Sequence, residues 1–136
     1  MKRVFEGLAH ACVLAPQSVA ASTAKTTGYV DVSGAEEVEF LLSTAPLGAG
    51  KSLTVELMAA EDDSGADAVK VGESKFTDAV GTEPALAVLS YRPVAVNGRY
   101  VAVKFQHDGA AAVVCGVTVS TKAGYLPAEN SWTLAV

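Results

Sequence analysis

The sequence predicts an all-β fold: a single, jelly-roll-like β-sandwich of about seven or eight short antiparallel strands, with extended N- and C-terminal arms. Three observations lead to this prediction. Apolar residues alternate with polar ones in several short runs, which is the pattern of half-buried strands. Turn-forming Gly, Pro, Asn and Asp residues separate these runs at spacings typical of sandwiches and barrels. No long amphipathic helical pattern interrupts them.

The length and composition fit one domain of this class. A chain of 136 residues buries roughly two-thirds of the surface that it exposes when unfolded, which is enough for a core. Hydrophobic residues make up 50% of the chain and aromatic residues 7%, so small aliphatic side chains must fill much of the interior. We expect residues 13–124 to form the sandwich, residues 1–12 an N-terminal arm and residues 125–136 a C-terminal tail.

The first half of the chain contains four predicted strands. Residues 13–20 are largely apolar but include Pro16, which indicates an edge strand or an extended arm. Residues 29–32 form a short strand closed by a Ser-Gly turn. Alternation is clearest over residues 37–44 and returns over residues 52–57. The apolar residues expected on the inward faces of these last two strands are Val38, Phe40, Leu42, Leu53, Val55 and Leu57.

The second half contributes four more strands. They are predicted over residues 69–76, 86–91, 100–106 and 113–120. The last two flank Asp108-Gly109, a dipeptide typical of tight turns. We therefore expect them to pair with each other as a β-hairpin.

The two ends of the chain carry the candidate interface residues. The apolar residues of the N-terminal arm fall at helical spacing, but the segment is too short for a stable isolated helix. The tail holds the one Trp of the chain, Trp132. A large aromatic side chain outside the core either packs back on its own domain or anchors an interface. We take as candidate interface residues Val4, Phe5, Leu8, Tyr125, Leu126 and Trp132.

The charge balance bears on the classes of partner. The net charge is −5 with ten Lys and Arg, and these are scattered, whereas nucleic-acid binding requires a basic surface. There is no basic amphipathic helix for a membrane surface and no run of about 20 apolar residues. The start Met1-Lys2-Arg3 resembles the first part of a signal peptide, but Glu6 and His10 interrupt the apolar run that should follow. We therefore expect no nucleic acid, no membrane and no secretion.

Two loops resemble ligand-binding motifs. Residues 45–52 end in Gly-Lys-Ser like a P-loop, but Ala45 stands where the pattern requires its first Gly, and a strand pattern follows instead of the helix that holds the phosphate. We interpret them as a glycine-rich hairpin loop. The acidic residues 61–67 carry oxygen ligands that suit Ca²⁺ but lack the EF-hand spacing, and we interpret them as a solvated turn. The polar residues 22–27 are also predicted to form a loop.

No group of residues has the pattern of a catalytic centre. His107 adjoins Asp108 in sequence, but catalytic partners must converge in space, and we expect His107 at the surface. Glu37 and Glu39 lie on the polar face of a strand rather than as the facing carboxylates of a glycosidase. The sequence accordingly predicts no enzyme activity, with no catalytic residue, no cofactor and no metal site.

The two cysteines leave the redox state open. Cys12 and Cys115 are far apart in sequence and do not define a disulfide framework. Both residues can be reduced thiols that pack as small hydrophobes. A single long-range disulfide is the alternative.

The order of these elements resembles that of small structural proteins of tailed bacteriophages and prophages. The likeness rests on the strand, Ser-Gly turn and strand of residues 29–43, followed by Leu-Gly-Ala-Gly-Lys-Ser at residues 47–52 and by the acidic loop. It continues through Gly-Arg-Tyr-Val-Ala-Val-Lys at residues 98–104 and a late hairpin at residues 113–120 to the Tyr-Leu-Pro of residues 125–127. The resemblance covers residues 13–128.

The resemblance implies a structural virion protein of the capsid decoration (cement) or head-fibre-base type. Such a protein would bind the major capsid protein and other head proteins on the capsid surface, as a homo-oligomer made in the host cytoplasm. The family has no catalytic residues to carry over. The alternative interpretation is a carbohydrate- or surface-binding β-sandwich module, which would need an aromatic platform or a calcium site; an enzyme comes last.

Overall fold

The computed structural model describes residues 4–123, 130 and 132–136, which contain one α-helical turn, nine strands and a short 3-10 helix at Ala95–Asn97. The turn α1 (Val4–Gly7) is followed by β1 (Ala9–Val19), β2 (Lys25–Thr26), β3 (Val30–Asp31), β4 (Ala35–Thr44), β5 (Lys51–Ala60), β6 (Val69–Asp78), β7 (Ala85–Tyr91), β8 (Tyr100–His107) and β9 (Val113–Ala123). In the part of the chain that is described, no helix has the length and apolarity needed to cross a bilayer.

The strands form two antiparallel sheets that pack as a sandwich, which confirms the predicted fold class. The four-stranded sheet has the order β1-β9-β4-β7, and the five-stranded sheet has the order β2-β8-β5-β6 with β3 also paired to β8. Because β2 and β3 pair with successive parts of β8, they occupy one strand position. Counted this way, each sheet holds four strands in jelly-roll order, and consecutive strands lie in different sheets except for β5 and β6.

A side chain bridges the gap between β2 and β3. The backbone N–H of Thr27 donates to the carbonyl oxygen of Val103 at 2.9 Å, and the N–H of Val103 donates to Thr27 Oγ1 at 3.1 Å. The hydroxyl therefore replaces a backbone carbonyl, and the ladder along β8 continues without an unpaired buried donor.

The core lies between the two sheets and consists of the inward-facing residues of each strand. Val38, Phe40 and Leu42 of β4 are 0% exposed, and the inward residues predicted on β5 are also buried. Alternation alone puts these side chains on one face, because successive strand residues point to opposite sides. Truncation of Phe40 to Ala would cost about 3–5 kcal/mol, as is usual for a buried Phe.

Three predictions about local structure are wrong. The segment 22–27 is not all loop, because Lys25–Thr26 pairs with β8; a two-residue polar strand has no alternation to reveal it. The strands around Asp108-Gly109 do not pair as a hairpin, since β8 and β9 belong to different sheets. The loop of residues 45–50 likewise joins different sheets rather than forming a hairpin, and among consecutive strands only β5 and β6 pair.

The first long strand begins earlier than the predicted sandwich boundary. β1 starts at Ala9, and residues 9–12 pair with residues 118–121 of β9. The register of β1 shifts between Cys12 and Leu14 and again between Leu14 and Gln17, and Pro16 lies in the second irregular stretch. A proline at an irregular position of an outer strand is what the edge-strand interpretation requires.

Candidate interaction surface

The ring of His107 belongs to the core rather than to the surface, where we expected it. The side chain is 1% exposed. Its Nε2 donates to the carbonyl oxygen of Val19 at 2.7 Å, and its Nδ1 accepts from the N–H of Gly109 at 3.1 Å. The carboxylate of Asp108 turns elsewhere and accepts from the N–H of Ser52 at 2.5 Å. His107 and Asp108 thus connect the end of β1, the start of β5 and the turn that follows β8.

A second histidine, His10, meets a serine that sequence reasoning did not single out. Its Nδ1 lies 2.7 Å from the hydroxyl of Ser120, because strand register places these residues opposite each other on β1 and β9. Among the described residues, no carboxylate is bonded to the other ring nitrogen, as a Ser-His-acid triad would require. The two residues are 110 positions apart, so no local pattern could have shown the contact.

The two loops with ligand-like sequences have other roles. Lys51 and Ser52 begin β5, so the glycine-rich loop leads into a strand and has no helix N-terminus for a phosphate. In the acidic loop, Asp62 accepts hydrogen bonds from the N–H and hydroxyl of Ser64 at 3.0 and 2.6 Å. These bonds hold the pKa of the Asp62 carboxyl below its usual value. Within the described ranges, no three His, Cys, Asp or Glu residues cluster as metal ligands.

The two cysteines lie on opposite faces of the four-stranded sheet. Cys12 is exposed, whereas Cys115 is buried in the core, and both are free thiols. Burial raises the pKa of the Cys115 thiol. A disulfide between the two residues would have to pass through the sheet, so the long-range bridge left open by the sequence does not form within one chain.

The candidate interface residues that the structure describes lie at the surface. Val4 is 74% exposed and Trp132 is 100% exposed, while Leu8 is half-buried just before β1. The side chain of Phe5 and all of Tyr125 and Leu126 lie outside the described residues. Trp132 therefore does not pack on its own domain.

One side chain of the tail holds the N-terminal segment. The amide of Asn130 accepts from the N–H of His10 at 2.7 Å and donates to the carbonyl oxygen of Leu8 at 3.0 Å. It thereby satisfies two backbone groups on the outer edge of β1 in the way that a paired strand would. The segment at Leu8 and His10 and the tail at Asn130 thus meet at the same edge of the sandwich.

The outer face of the four-stranded sheet has few charges. Two rows of outward-facing residues run across it, and strand register places in them Cys12, Thr118, Leu41 and Val88, then Gly116, Ser43 and Leu86. None of these residues is Lys, Arg, Asp or Glu. The next row contains one carboxylate, Glu39, beside His10, Ser120 and Ser90.

The outer face of the five-stranded sheet has the opposite character. Its central rows contain Gln106, Thr54 and Lys75, then Lys104, Glu56 and Glu73. Lys70 forms ion pairs with Glu56 and Glu73, which suits a face in contact with water. Because interface cores are depleted of Lys and Glu, the four-stranded sheet is the better candidate for binding another protein.

A groove opens on the side of the sandwich where β6 and β7 form the edges of their sheets. It encloses about 450 Å³ between the two strands. We call it the β6–β7 groove, and its apolar lining includes Leu42, Leu47, Leu53, Phe76, Val80 and Leu86. Several of these residues stay in contact with solvent: Phe76 is 42%, Leu86 61% and Val80 68% exposed.

The closed end of the groove is held by Asp78. Its carboxylate accepts from the N–H of Gly81 at 2.8 Å and from the N–H of Leu47 at 3.2 Å. Gly81 has a φ of 80°, and a Cβ there would clash with the backbone of Gly48 and Ala49. Only glycine permits this close approach of the two loops, so the end of the groove is formed by fixed backbone.

Comparisons with known proteins show the fold and no family. No protein-family model and no curated protein matches the sequence. Among solved structures, the PBSX exported protein XepA matches with a TM-score of 0.61 and 14% identity, over 100% of this chain and 44% of that one. Dimeric latent PorU from Porphyromonas gingivalis matches with a TM-score of 0.51 and 10% identity, over 85% of this chain and 13% of that one. The chain thus spans less than half of each protein, and at identities this low the structural likeness shows a similar fold alone.

Proposed function

We propose that this chain is a structural virion protein that binds the outer surface of a phage-type capsid shell and stabilises it. Its partners are the major capsid protein and other head proteins, as in decoration or cement proteins. The proposal places the chain on the capsid surface and assigns it no catalytic chemistry.

The observation that carries this proposal is the difference between the two outer faces of the sandwich. One sheet presents charged pairs to water, while the other presents small, polar and apolar side chains around Leu41 and Thr118. A monomer in solution has no need for such a difference, whereas a protein that lies on a shell has one covered face and one wet face. The sequence resemblance to tailed-phage structural proteins supports the same function.

The terminal segments supply additional contacts on the shell. Asn130 holds the tail at the outer edge of β1, next to the sheet face with few charges. From there the exposed side chain of Val4 can reach the shell, and that of Trp132 can reach a neighbouring copy of this chain on the shell. A buried Trp is among the residues that contribute most to the binding energy of an interface.

The first test measures the assembly state of the native protein. Material from the source of the chain would be separated by size, and the mass of the particle that contains it measured by light scattering and electron microscopy. We expect a large shell with many copies of the chain. Recovery of all of the chain as a free monomer or small oligomer would overturn the proposal.

A second test locates the binding face. Shells assembled without this chain would be mixed with the purified wild type and with Thr118→Lys and Ser43→Lys, two exposed outward positions of the four-stranded sheet. We expect at least about a tenfold loss of co-sedimentation, since a buried charge without a partner opposes binding. Gln106→Lys on the opposite face is the matched control and should bind normally. Equal binding by all variants would exclude this face.

The same samples distinguish the alternative function. A carbohydrate-binding module would be retained on immobilised polysaccharide and would ignore protein shells. Retention of the wild type on glycans together with no shell binding would replace the capsid proposal by the carbohydrate-binding one.

A further inference from the structure

We propose that residues 132–136 of one copy of this chain dock as an added strand in the β6–β7 groove of a second copy. The contact requires only the chain itself, so it goes beyond shell binding. A chain that self-associates but does not bind capsid shells would refute the proposed function and leave this inference intact. A chain that binds shells but does not self-associate would refute this inference and leave the proposed function intact.

The tail has the pattern of a strand but no sheet to join. Trp132, Leu134 and Val136 alternate with Thr133 and Ala135, which is the period of a half-buried strand. The structure places these residues in no strand. The side chains of Trp132 and Leu134 are 100% and 89% exposed. An apolar strand face of this kind is typical of a segment that is covered by another molecule.

The β6–β7 groove provides the two features that such a segment needs. Among the described residues, β6 and β7 are each paired on one side only, so the backbone groups on the other edge of each strand can bond to an incoming strand. Between them lies the apolar space of about 450 Å³, within the range of about 300–1,000 Å³ that holds a bound organic group. In strand addition the main chain supplies affinity, and pockets for alternate side chains supply specificity.

Trp132 cannot reach the groove of its own domain while Asn130 holds β1. Trp132 follows Asn130 by two residues, which is at most about 7 Å of extended chain. β7 is three strands away from β1 in the same sheet, or about 14 Å at the usual strand spacing, and the groove lies beyond it. The groove that Trp132 can reach therefore belongs to a second copy.

This contact joins two different surfaces, and its geometry predicts how copies assemble. One copy offers its tail near β1, and the next offers its groove at β6 and β7, at the opposite edge of the sandwich. Contacts between unlike surfaces produce a closed ring when the rotation closes and an open filament when it does not. The homo-oligomer expected from the sequence would follow from this repeated contact.

The single Trp of the chain makes the contact directly observable. We would measure sedimentation equilibrium and Trp fluorescence of the wild type over a wide concentration range. We expect the mass to rise with concentration and the emission to move to shorter wavelength in parallel, because Trp132 passes from water into an apolar groove. A wild type that remains monomeric with unchanged emission throughout would overturn the proposal.

Variants assign the contact to its two halves. Phe76→Glu places a charge in the groove and keeps Trp132, and Val80→Arg at its exposed rim serves if Phe76→Glu does not fold. The double variant Trp132→Ala with Leu134→Asp removes the tail anchors and leaves the groove intact. Each should weaken self-association at least about 30-fold, the effect of losing an interface hot spot. Val96→Arg, on the exposed turn before β8, is the control and should associate normally.

Mixing the defective variants gives the decisive result. Phe76→Glu still has a tail, and the double tail variant still has a groove. An equimolar mixture should therefore form a one-to-one dimer, with the emission of the remaining Trp132 shifted to shorter wavelength. Wild-type association by either variant alone, or a mixture that forms no dimer, would show that tail and groove do not meet.

Discussion

At the residue scale, a few polar contacts connect parts of the chain that are far apart in sequence. The ring of His107 joins the end of β1 to the turn that follows β8, across 88 positions. Both of its nitrogens are used, one as donor and one as acceptor, and its partners are backbone groups of Val19 and Gly109. Buried polar groups must be bonded to avoid a desolvation cost, so this ring specifies how two loops meet.

Replacement of His107 should therefore destabilise the fold. In His107→Phe the ring volume is kept, but a buried carbonyl and a buried N–H lose their partners, and we expect a loss of about 2–4 kcal/mol in the free energy of unfolding. Urea titration followed by circular dichroism measures this. The neighbouring exposed variant Gln106→Ala is the control, with a change within about 0.5 kcal/mol. A loss in His107→Phe no larger than in the control would show that the ring is not needed.

An exposed ion pair fixes the entry to β8. Arg99 Nη2 donates to the carboxylate of Asp31 on β3 at 2.5 Å, and the N–H and hydroxyl of Ser33 donate to the same carboxylate at 2.9 and 2.7 Å. The Arg99 guanidinium, followed by Ser33, holds the pKa of the Asp31 carboxyl well below its usual range. Because this pKa is depressed in the folded state, the stabilisation is complete above the unfolded value near 3.9 and is lost as pH falls further.

The variant Arg99→Gln tests this contact. The pKa of Asp31, followed by NMR through its side-chain carbon signal, should rise towards its ordinary value because the largest favourable interaction is removed. The difference in stability between wild type and variant should be constant from pH 7 to about pH 4 and shrink below that. An unchanged pKa of Asp31 would mean that Ser33 alone is sufficient. The pair is exposed, so its effect on stability is small.

At the element scale, β1 determines how the ends of the chain relate to the sandwich. It is an outer strand whose register shifts twice, and its outer edge is covered at His10 by the side chain of Asn130. Irregular and covered edges protect a sheet from unwanted pairing. The structured sandwich therefore includes residues 9–12. The described residues before Ala9 do not pair with any strand.

Two deletions distinguish the arm from the strand. Removal of residues 1–8 takes away no strand pairing among the described residues and should leave stability nearly unchanged. Removal of residues 1–12 also takes away the pairing of four residues with β9, and we expect it to cost about 2–4 kcal/mol from several lost ladder hydrogen bonds. Denaturant unfolding of the two shortened chains measures the difference. Equal stability of the two shortened chains would mean that the first four residues of β1 do not contribute to the stability of the sheet.

At the scale of the whole molecule, the jelly roll forms three surfaces that serve different purposes, and the second and third of them adjoin at Leu86. The charged outer face of the five-stranded sheet suits water, the outer face with few charges suits a flat partner, and the β6–β7 groove suits an extended segment. Thr118 lies on the second surface and Phe76 in the third. Variants at these positions therefore test shell binding and self-association independently, and each experiment is informative whatever the other shows.

The sequence by itself determined where most strands lie and which side chains face inward. The reason is that the two-residue repeat of a strand is a local property, and it was clear in residues such as Val38, Phe40 and Leu42. The edge position of the strand that contains Pro16 also followed from local chemistry, since proline cannot donate a ladder hydrogen bond. The glycine-rich loop was correctly separated from a P-loop because the residues after it alternate.

Only the tertiary structure decided which strands pair and which polar groups meet. A turn dipeptide at residues 108–109 could not reveal that β8 and β9 belong to different sheets, because loop sequence does not encode the sheet that the next strand joins. The burial of His107, the contact of Asn130 with β1 and the β6–β7 groove all join residues far apart in the chain. Such contacts depend on the packing of the two sheets, and no local pattern of residues records that packing.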